Sequence, residues 1–212
     1  MLFYRIVRPL VTGIPRVMWR VRVVGMEHVP KSGGFILAPS HRSMMDIPLA
    51  AIVTRRRIRF MGKSSLFGVP VLGTLFTWLG GISVERDGTD RKAVRDSVAM
   101  LGNGEVLCVY PEGTRQNGRK IQPLQPGAAY FALRSGAPII PIGIAGAEEI
   151  MREKSDPIPR FGRVTMVVGP PLVPEARTSG VVPRERVDSL TARLADALQS
   201  VLDDAYELRD AK

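Results

Sequence analysis

Apolar residues in this chain fall into short runs that alternate with segments in which apolar positions recur at helical spacing. Short runs that are rich in β-branched residues and bounded by Gly, Pro or charged residues predict strands. The predicted strands are Arg20–Val24, Gly34–Ala38, Arg59–Gly62, Gly81–Val84, Val106–Tyr110, Ile139–Ile144 and Arg163–Val168.

The segments between these runs have the periodicity of helices. Helices are predicted over Met44–Thr54, Thr89–Leu101 and Gly127–Arg134. Near the C-terminus a single apolar stripe predicts another helix, through Val187, Leu190, Leu194, Ala197, Leu198 and Val201. Alternating strands and helices predict an α/β fold with a mixed, largely parallel central sheet flanked by helices. In such sheets, functional sites form at the carboxyl ends of strands.

The N-terminal residues 1–19 have a different pattern, in which arginines punctuate apolar residues that include Phe3 and Trp19. Basic residues interleaved with aromatic ones are typical of an amphipathic helix that lies in a membrane interface. Pro9, Gly13 and Pro15 would divide it into two short pieces. The alternative is a helix that packs on the protein's own core.

The chain is long enough for one domain with a sizeable core, since 45% of its 212 residues are hydrophobic and 24% are charged. We therefore expect a single domain over residues 1–212, with an α/β core over residues 20–212. Arginines interrupt the N-terminal apolar residues, so no cleavable signal peptide is expected. The longest uncharged run, Ser64–Val84, has the length of a membrane span. Its glycines, its proline and its strand-like end favour a buried helix running into a strand.

The formal net charge of +10 is unevenly distributed, because 12 of the 30 Lys and Arg residues but only two of the 20 acidic residues lie in residues 1–63. This asymmetry indicates a surface that faces a polyanion, either nucleic acid or an anionic membrane. A solvated basic face is the alternative. The basic segment has no zinc-finger or RNP-like pattern and aromatic residues form only 6% of the chain, so nucleic acid is not the expected partner.

Candidate chemistry centres on Ser40–Asp46, with the sequence SHRSMMD, which follows an apolar strand and Pro39. His41 and Asp46 are five residues apart across a predicted strand-to-helix turn, so the carboxylate can accept a hydrogen bond from one ring nitrogen. The other nitrogen is then available as a general base. Ser40 and Ser43 flank His41, so a serine hydrolase is an alternative. Taken alone, H-x4-D is also compatible with a structural histidine.

Two further polar clusters follow predicted strands. Glu112 and Arg115 lie in a Pro-Glu-Gly-Thr-Arg turn, where Gly113 lets the backbone turn or approach a ligand closely. Arg86 follows the strand that ends at Val84, and the guanidinium groups of both arginines suit phosphate. A surface turn with a local ion pair is the alternative. One Cys and two His residues in the whole chain are too few for a usual zinc site, so no metal is expected. Cys108, inside an apolar strand, is expected to be a small core residue.

Four blocks together resemble the glycerolipid acyltransferase family, which includes 1-acylglycerol-3-phosphate acyltransferases. They are His41-x4-Asp46, Gly81–Arg86, Tyr110–Arg115 and Pro138–Pro141, and their order and spacing match. The resemblance covers roughly residues 20–170, and Tyr110 stands where Phe is commoner in the family. It implies that His41 and Asp46 are catalytic. It also implies that the acceptor is bound by Lys63, Arg86, Glu112, Gly113, Thr114 and Arg115. Of these, Glu112 is expected to orient an arginine or to bond a glycerol hydroxyl, not to face the phosphate.

The resemblance implies transfer of a fatty acyl group from acyl-CoA or acyl carrier protein to the sn-2 hydroxyl of 1-acylglycerol-3-phosphate, without a cofactor. Alternative acceptors are glycerol-3-phosphate, another lysophospholipid or a glycolipid, and a non-catalytic protein that binds anionic lipid is the alternative from another class. We expect peripheral or monotopic association with the cytoplasmic face of the cell membrane. Residues 1–22 with Arg55, Arg56, Arg57 and Arg59 are expected to contact the anionic bilayer.

Overall fold

The structure is a computed structural model, and it describes residues 9, 12–63, 80–84, 91–151, 159–175, 177–178 and 180–211. It contains a seven-stranded sheet, and each strand falls within or next to a run predicted from the sequence. In chain order the strands are β1 Arg22–Val24, β2 Phe35–Pro39, β3 Ile58–Lys63, β4 Ile82–Val84, β5 Val106–Cys108, β6 Ile139–Ala145 and β7 Thr165–Val168. Their spatial order is β1-β7-β6-β2-β5-β3-β4.

The helices follow the predicted alternation with two differences. They are α1 Asp46–Ala50, α2 Arg91–Gly102, α3 Gly127–Ser135, α4 Ala147–Ile150 and α5 Arg184–Asp210, besides the helical residues 12–18 and the 3-10 turn Met26–His28. The short helix α4 was not predicted. Helix α1 is shorter than predicted, and the chain leaves it in turns before β3. The predicted mixed, largely parallel sheet flanked by helices is confirmed.

The sheet reverses direction at β7. Strands β6, β2, β5, β3 and β4 pair in parallel, whereas β7 pairs antiparallel with β6 and parallel with β1. The register aligns Ala145, at the carboxyl end of β6, with Thr165 at the amino end of β7, and Thr165 with Arg22 of β1. The amino ends of β1 and β7 therefore lie at the sheet edge where β2 and β6 end.

The core has two faces because successive strand residues point to opposite sides of the sheet. In β2, Phe35 and Leu37 pack on one side, against residues that include Leu49 of α1. Ile36 and Ala38 pack on the other side, against helices α2, α3 and the first part of α5. At Gly143 of β6 a Cβ would lie 2.1 Å from the carbonyl oxygen of Val201, so helix α5 contacts the sheet backbone there.

The structure corrects part of the predicted membrane surface. Trp19 is 4% exposed and belongs to the core, so it does not face a bilayer. Arg55, Arg56 and Arg57 precede β3, at the edge opposite to the carboxyl ends of the strands. Arg56 donates to the carbonyl oxygens of Gly33 and Gly104, and Arg59 donates to Glu105 at 2.6 Å. The side chains of Arg56 and Arg59 are therefore engaged in contacts within the protein.

The predicted uncharged segment Ser64–Val84 lies mostly outside the described residues, and its end forms β4. Among the helices that the structure does describe, none combines the length and the apolar character that a bilayer span needs.

Candidate active site

The site forms where β2 and β5 end next to each other. His41 lies two residues beyond Pro39, the last residue of β2, and β5 continues into the Tyr110–Arg115 turn. The backbone N–H of Gln116 donates to the carbonyl oxygen of His41 at 2.8 Å, which joins the two loops. The parallel pairing of β2 with β5 therefore brings together the two motifs that the sequence predicted at one edge.

The His41 ring is held by Asp46, whose side chain is fully buried. The Nδ1 atom of His41 lies 2.9 Å from Oδ2 of Asp46, and the same oxygen accepts the backbone N–H groups of Arg42 at 2.7 Å and Ser43 at 2.8 Å. Because the carboxylate accepts at this oxygen, Nδ1 carries the proton in this pair and Nε2 is the nitrogen that can accept one. The predicted His41–Asp46 pair is thus present with the geometry of a general base and its orienting carboxylate.

Tyr110 forms one wall of the histidine's surroundings. Its ring stacks on the His41 ring, with 4.1 Å between centroids and 28° between planes. Burial raises the pKa of the Tyr110 phenol well above its usual value, so the hydroxyl stays protonated. Among the described residues that hydroxyl has no strong hydrogen-bond partner, and the thiol of Cys108, a weak one, lies beside it. The ring therefore acts here as a flat apolar surface that fixes the imidazole plane.

Beneath the histidine lies a buried ion pair that the sequence did not reveal. Arg42 Nη1 donates to Oε2 of Glu112 at 2.7 Å, and both side chains are fully buried. The same guanidinium group donates to the backbone carbonyls of His41, Gly118 and Lys120. Arg42 therefore holds the loop after β5 against the loop after β2. In the sequence, only its position directly after His41 could have indicated a role for Arg42. Its partner Glu112 is 70 residues away, so spacing in the sequence could not identify the pair.

The position of Glu112 agrees with the expectation that it orients an arginine, and it does not agree with direct contact between Glu112 and the acceptor. Its Oε2 atom also accepts the backbone N–H of His41 at 3.1 Å, and its Oε1 atom accepts that of Gln122 at 3.1 Å. Both carboxylate oxygens are engaged within the protein. Glu112 is therefore a positioning residue for His41 and Arg42, because burial and internal hydrogen bonds leave no oxygen facing outward.

The other residues of this turn are open to a ligand. Gly113 has a φ of +72°, which favours glycine, and its N–H donates to the carbonyl of Tyr110. Thr114 is exposed and Arg115 is half-buried. Arg115 has no hydrogen-bond or ion-pair partner within the part of the chain that the structure describes, although the neighbouring Gln116 contacts His41. The backbone of Arg115 is thus one residue from the contact between the two loops.

The structure gives limited information on two predicted acceptor-binding residues, Lys63 and Arg86. Lys63 is the last residue of β3, which is parallel to β5, so its backbone lies at the same edge as His41. Its side chain is outside the description, and Arg86 lies outside the described residues altogether.

Nucleophilic side chains near His41 are buried. The Ser40 hydroxyl accepts the N–H of Ile144, and Ser43 is 1% exposed. Cys108 is fully buried, and burial raises the pKa of its thiol. The predicted core position of Cys108 is confirmed, and neither serine is placed to attack a substrate. Within the described ranges no group of three or more His, Cys, Asp or Glu side chains could hold a metal ion.

Comparison with known proteins gives results that agree with this geometry. A family model described as Acyltransferase matches residues 20–145. The fold resembles the crystal structure of the 1-acyl-sn-glycerophosphate (LPA) acyltransferase PlsC from Thermotoga maritima, with a TM-score of 0.75 and 25% sequence identity. That match covers 97% of this chain and 80% of the Thermotoga chain.

Several curated relatives have related names. The 1-acyl-sn-glycerol-3-phosphate acyltransferase of Bacillus subtilis (strain 168) is 24% identical over 185 residues, which cover 85% of this chain and 87% of that protein. The alpha form from Mus musculus is 30% identical over 172 residues, covering 77% and 59%. The chloroplastic BAT2 of Brassica napus is 24% identical over 157 residues, covering 73% and 45%. The chain thus spans about half the length of the plant relative.

Proposed function

The chain belongs to the acyltransferase family, whose model matches residues 20–145, and from this membership we propose that it acylates lysophosphatidate to give phosphatidate. The observation that carries the proposal is the His41–Asp46 pair at 2.9 Å, next to the turn that contains Arg115, whose side chain has no partner among the described residues. The names of the Bacillus subtilis and Mus musculus relatives support 1-acylglycerol-3-phosphate as the acceptor. The donor is a fatty acyl thioester, acyl-CoA or acyl carrier protein, and no further cofactor takes part.

The proposed reaction is direct transfer with His41 as general base. Nε2 of His41 accepts the proton of the sn-2 hydroxyl while that oxygen attacks the thioester carbonyl carbon. The tetrahedral intermediate then expels the thiolate, which takes the proton from the imidazolium. Asp46 holds Nδ1–H and stabilises the imidazolium, and general-base catalysis of this kind contributes about 10²–10⁴-fold. The burial of Ser40, Ser43 and Cys108 supports a mechanism without an acyl-enzyme.

The acceptor phosphate is proposed to bind at the turn after β5. Arg115 offers a planar pair of donors that suits phosphate oxygens. Thr114 and the backbone at Gly113 lie in the same turn, and Lys63 and Arg86 are proposed to complete the site. A charged hydrogen bond contributes about 1.5–3 kcal/mol, so Arg115→Ala is expected to raise the acceptor KM on the order of 10–100-fold with little change in donor KM.

Purified protein incubated with acyl-CoA and lysophosphatidate should form phosphatidate, detected by thin-layer chromatography. His41→Ala should abolish the product while the circular dichroism spectrum stays unchanged, and Arg55→Ala at the opposite edge is the control for Arg115→Ala. Product formation by a verified His41→Ala protein would rule out the proposed base. If monoacylglycerol, which lacks the phosphate, is acylated as readily as lysophosphatidate, the phosphate site is wrong.

Glycerol-3-phosphate, another lysophospholipid or a glycolipid would be revealed by the same assay with a panel of acceptors. Because lysophosphatidate and phosphatidate are membrane lipids, the proposed site of action is a membrane surface, the cytoplasmic face of the cell membrane. Its proposed partner there is an anionic membrane surface, since the basic excess lies in residues 1–63.

A further inference from the structure

An exposed patch of apolar and basic side chains lies beside β1, formed by two segments distant in sequence. Val17 and Phe161 are each 81% exposed, and Ile14 is 53% exposed. Val17, Arg20, Phe161 and Arg163 line one shallow pocket, so the two segments are in contact. We call these five residues, with Arg22, the basic apolar patch. Large exposed apolar side chains that cluster among charged ones mark interaction sites.

The patch continues as a basic surface. Arg20, Arg22 and Arg163 also line the neighbouring pocket, together with Arg209. Arg209 forms an ion pair with Glu149. Among the described residues, Arg20 is the only non-glycine residue with positive φ, at +41°. Such strained conformations persist where the surrounding structure imposes them, frequently at functional sites.

The location of the patch relates it to the active site. Arg22 and Thr165 are paired at the amino ends of β1 and β7, and Thr165 is paired with Ala145 at the carboxyl end of β6. Strand β2, which delivers His41, ends at the same edge because it is parallel to β6. The patch and His41 therefore share one edge of the sheet. By contrast, Val181 lies near the C-terminal end of α3, at the opposite edge, which the site does not use.

We infer that the basic apolar patch docks on the surface of an anionic phospholipid bilayer, with Phe161 and Val17 inserted and the arginines at the headgroup phosphates. This inference rests on the proposed function, in which the acceptor is a lipid. Docking at this edge turns His41 and the Arg115 turn towards the bilayer, so a lysolipid headgroup reaches the base without the lipid leaving the membrane. Apolar side chains between basic ones are the composition that interfacial binding requires.

The test is sedimentation of the purified protein with vesicles of phosphatidylcholine alone, and of phosphatidylcholine mixed with phosphatidylglycerol. Val17→Ser/Phe161→Ser is expected to lower the partition coefficient for both vesicles by on the order of tenfold or more, because the inserted apolar area is lost. Arg20→Gln/Arg22→Gln should lower binding to the anionic vesicles by about fivefold per charge, and high salt should abolish that difference.

The controls are matched in chemistry and lie at the opposite edge. Val181→Ser removes a side chain that is 91% exposed, and Arg55→Gln/Arg57→Gln removes two basic charges. Both should bind vesicles as the wild type does. Equal partition of patch and control variants would overturn the inference, as would a patch that controls oligomeric state in gel filtration without affecting vesicle binding. The vesicle assay needs no acyl donor, so its result is independent of whether phosphatidate forms.

Discussion

The buried Arg42–Glu112 pair allows a sharp test of how the site is held together. Glu112→Gln keeps the shape of the side chain but removes its charge and replaces one acceptor oxygen with an NH2 group. In the wild type both oxygens accept, from Arg42, the His41 N–H and the Gln122 N–H. The single amide oxygen of the variant can accept hydrogen bonds from only some of these donors. The Arg42 guanidinium group is left as a buried charge without its counter-ion.

The expected cost follows from burial. Breaking a fully buried ion pair by removing one partner costs about 3–5 kcal/mol, a large part of the roughly 5–15 kcal/mol by which domains are stable. The chain supplies a matched control in Arg59–Glu105, whose side chains are 24% and 33% exposed. Glu105→Gln should cost only about 0–1 kcal/mol, because water screens and solvates a partly exposed pair.

Urea unfolding followed by circular dichroism gives the free energy of unfolding of each variant. The double variant Arg42→Met/Glu112→Gln should recover part of the loss of Glu112→Gln, since no unpaired charge remains buried. A decrease in kcat should accompany Glu112→Gln, because the His41 backbone loses a carboxylate acceptor. Equal losses of stability for Glu112→Gln and Glu105→Gln would refute the argument from burial.

Three further predictions concern single positions. Tyr110→Phe should retain activity and change Tm little, because among the described residues the buried hydroxyl has only the weakly hydrogen-bonding thiol of Cys108 beside it; a drop in kcat would show that the hydroxyl takes part in catalysis. Burial raises the pKa of the Cys108 thiol above the ordinary thiol pKa of 9.0, so iodoacetamide should not label it in the native protein between neutral pH and pH 9.0. The same reagent should label it after unfolding in urea. Rapid labelling of the native protein, measured by mass spectrometry, would contradict this. Gly143→Ala should lower Tm because its Cβ would lie 2.1 Å from the Val201 carbonyl oxygen, whereas Gly102→Ala, with nothing within 4 Å, should not.

Much of the secondary structure could be predicted because strands here are short apolar runs bounded by breakers. Strand β6, for example, is buried along its whole length, and its sequence IIPIGIA is visibly apolar. The spatial order of the strands and the reversal at β7 could not be predicted, because both depend on pairings between distant residues. The four-residue helix α4 was missed because so short a segment has no measurable periodicity.

For the site, the contact between His41 and Asp46 could be predicted because both residues lie in one short segment. The sequence allowed Glu112 to orient an arginine, but it could not identify that arginine as Arg42, because the two residues are 70 positions apart and only the fold brings them together. It also grouped Arg56 and Arg59 in a basic surface, and net charge along a sequence could not show that both side chains donate to groups within the protein.

The pairing of β1 with β7 has a consequence for how the protein forms. Among the described strands β1 has β7 as its only neighbour, and Arg22 pairs with Thr165, so β1 cannot join the sheet until most of the chain has left the ribosome. Contacts between residues so far apart form late, because closing a long loop costs entropy before the contact contributes stability. The same event brings residues 14–22 next to Phe161. Correct closure of the sheet and assembly of the basic apolar patch are therefore one kinetic step, and a nascent chain acquires this surface only as folding is completed.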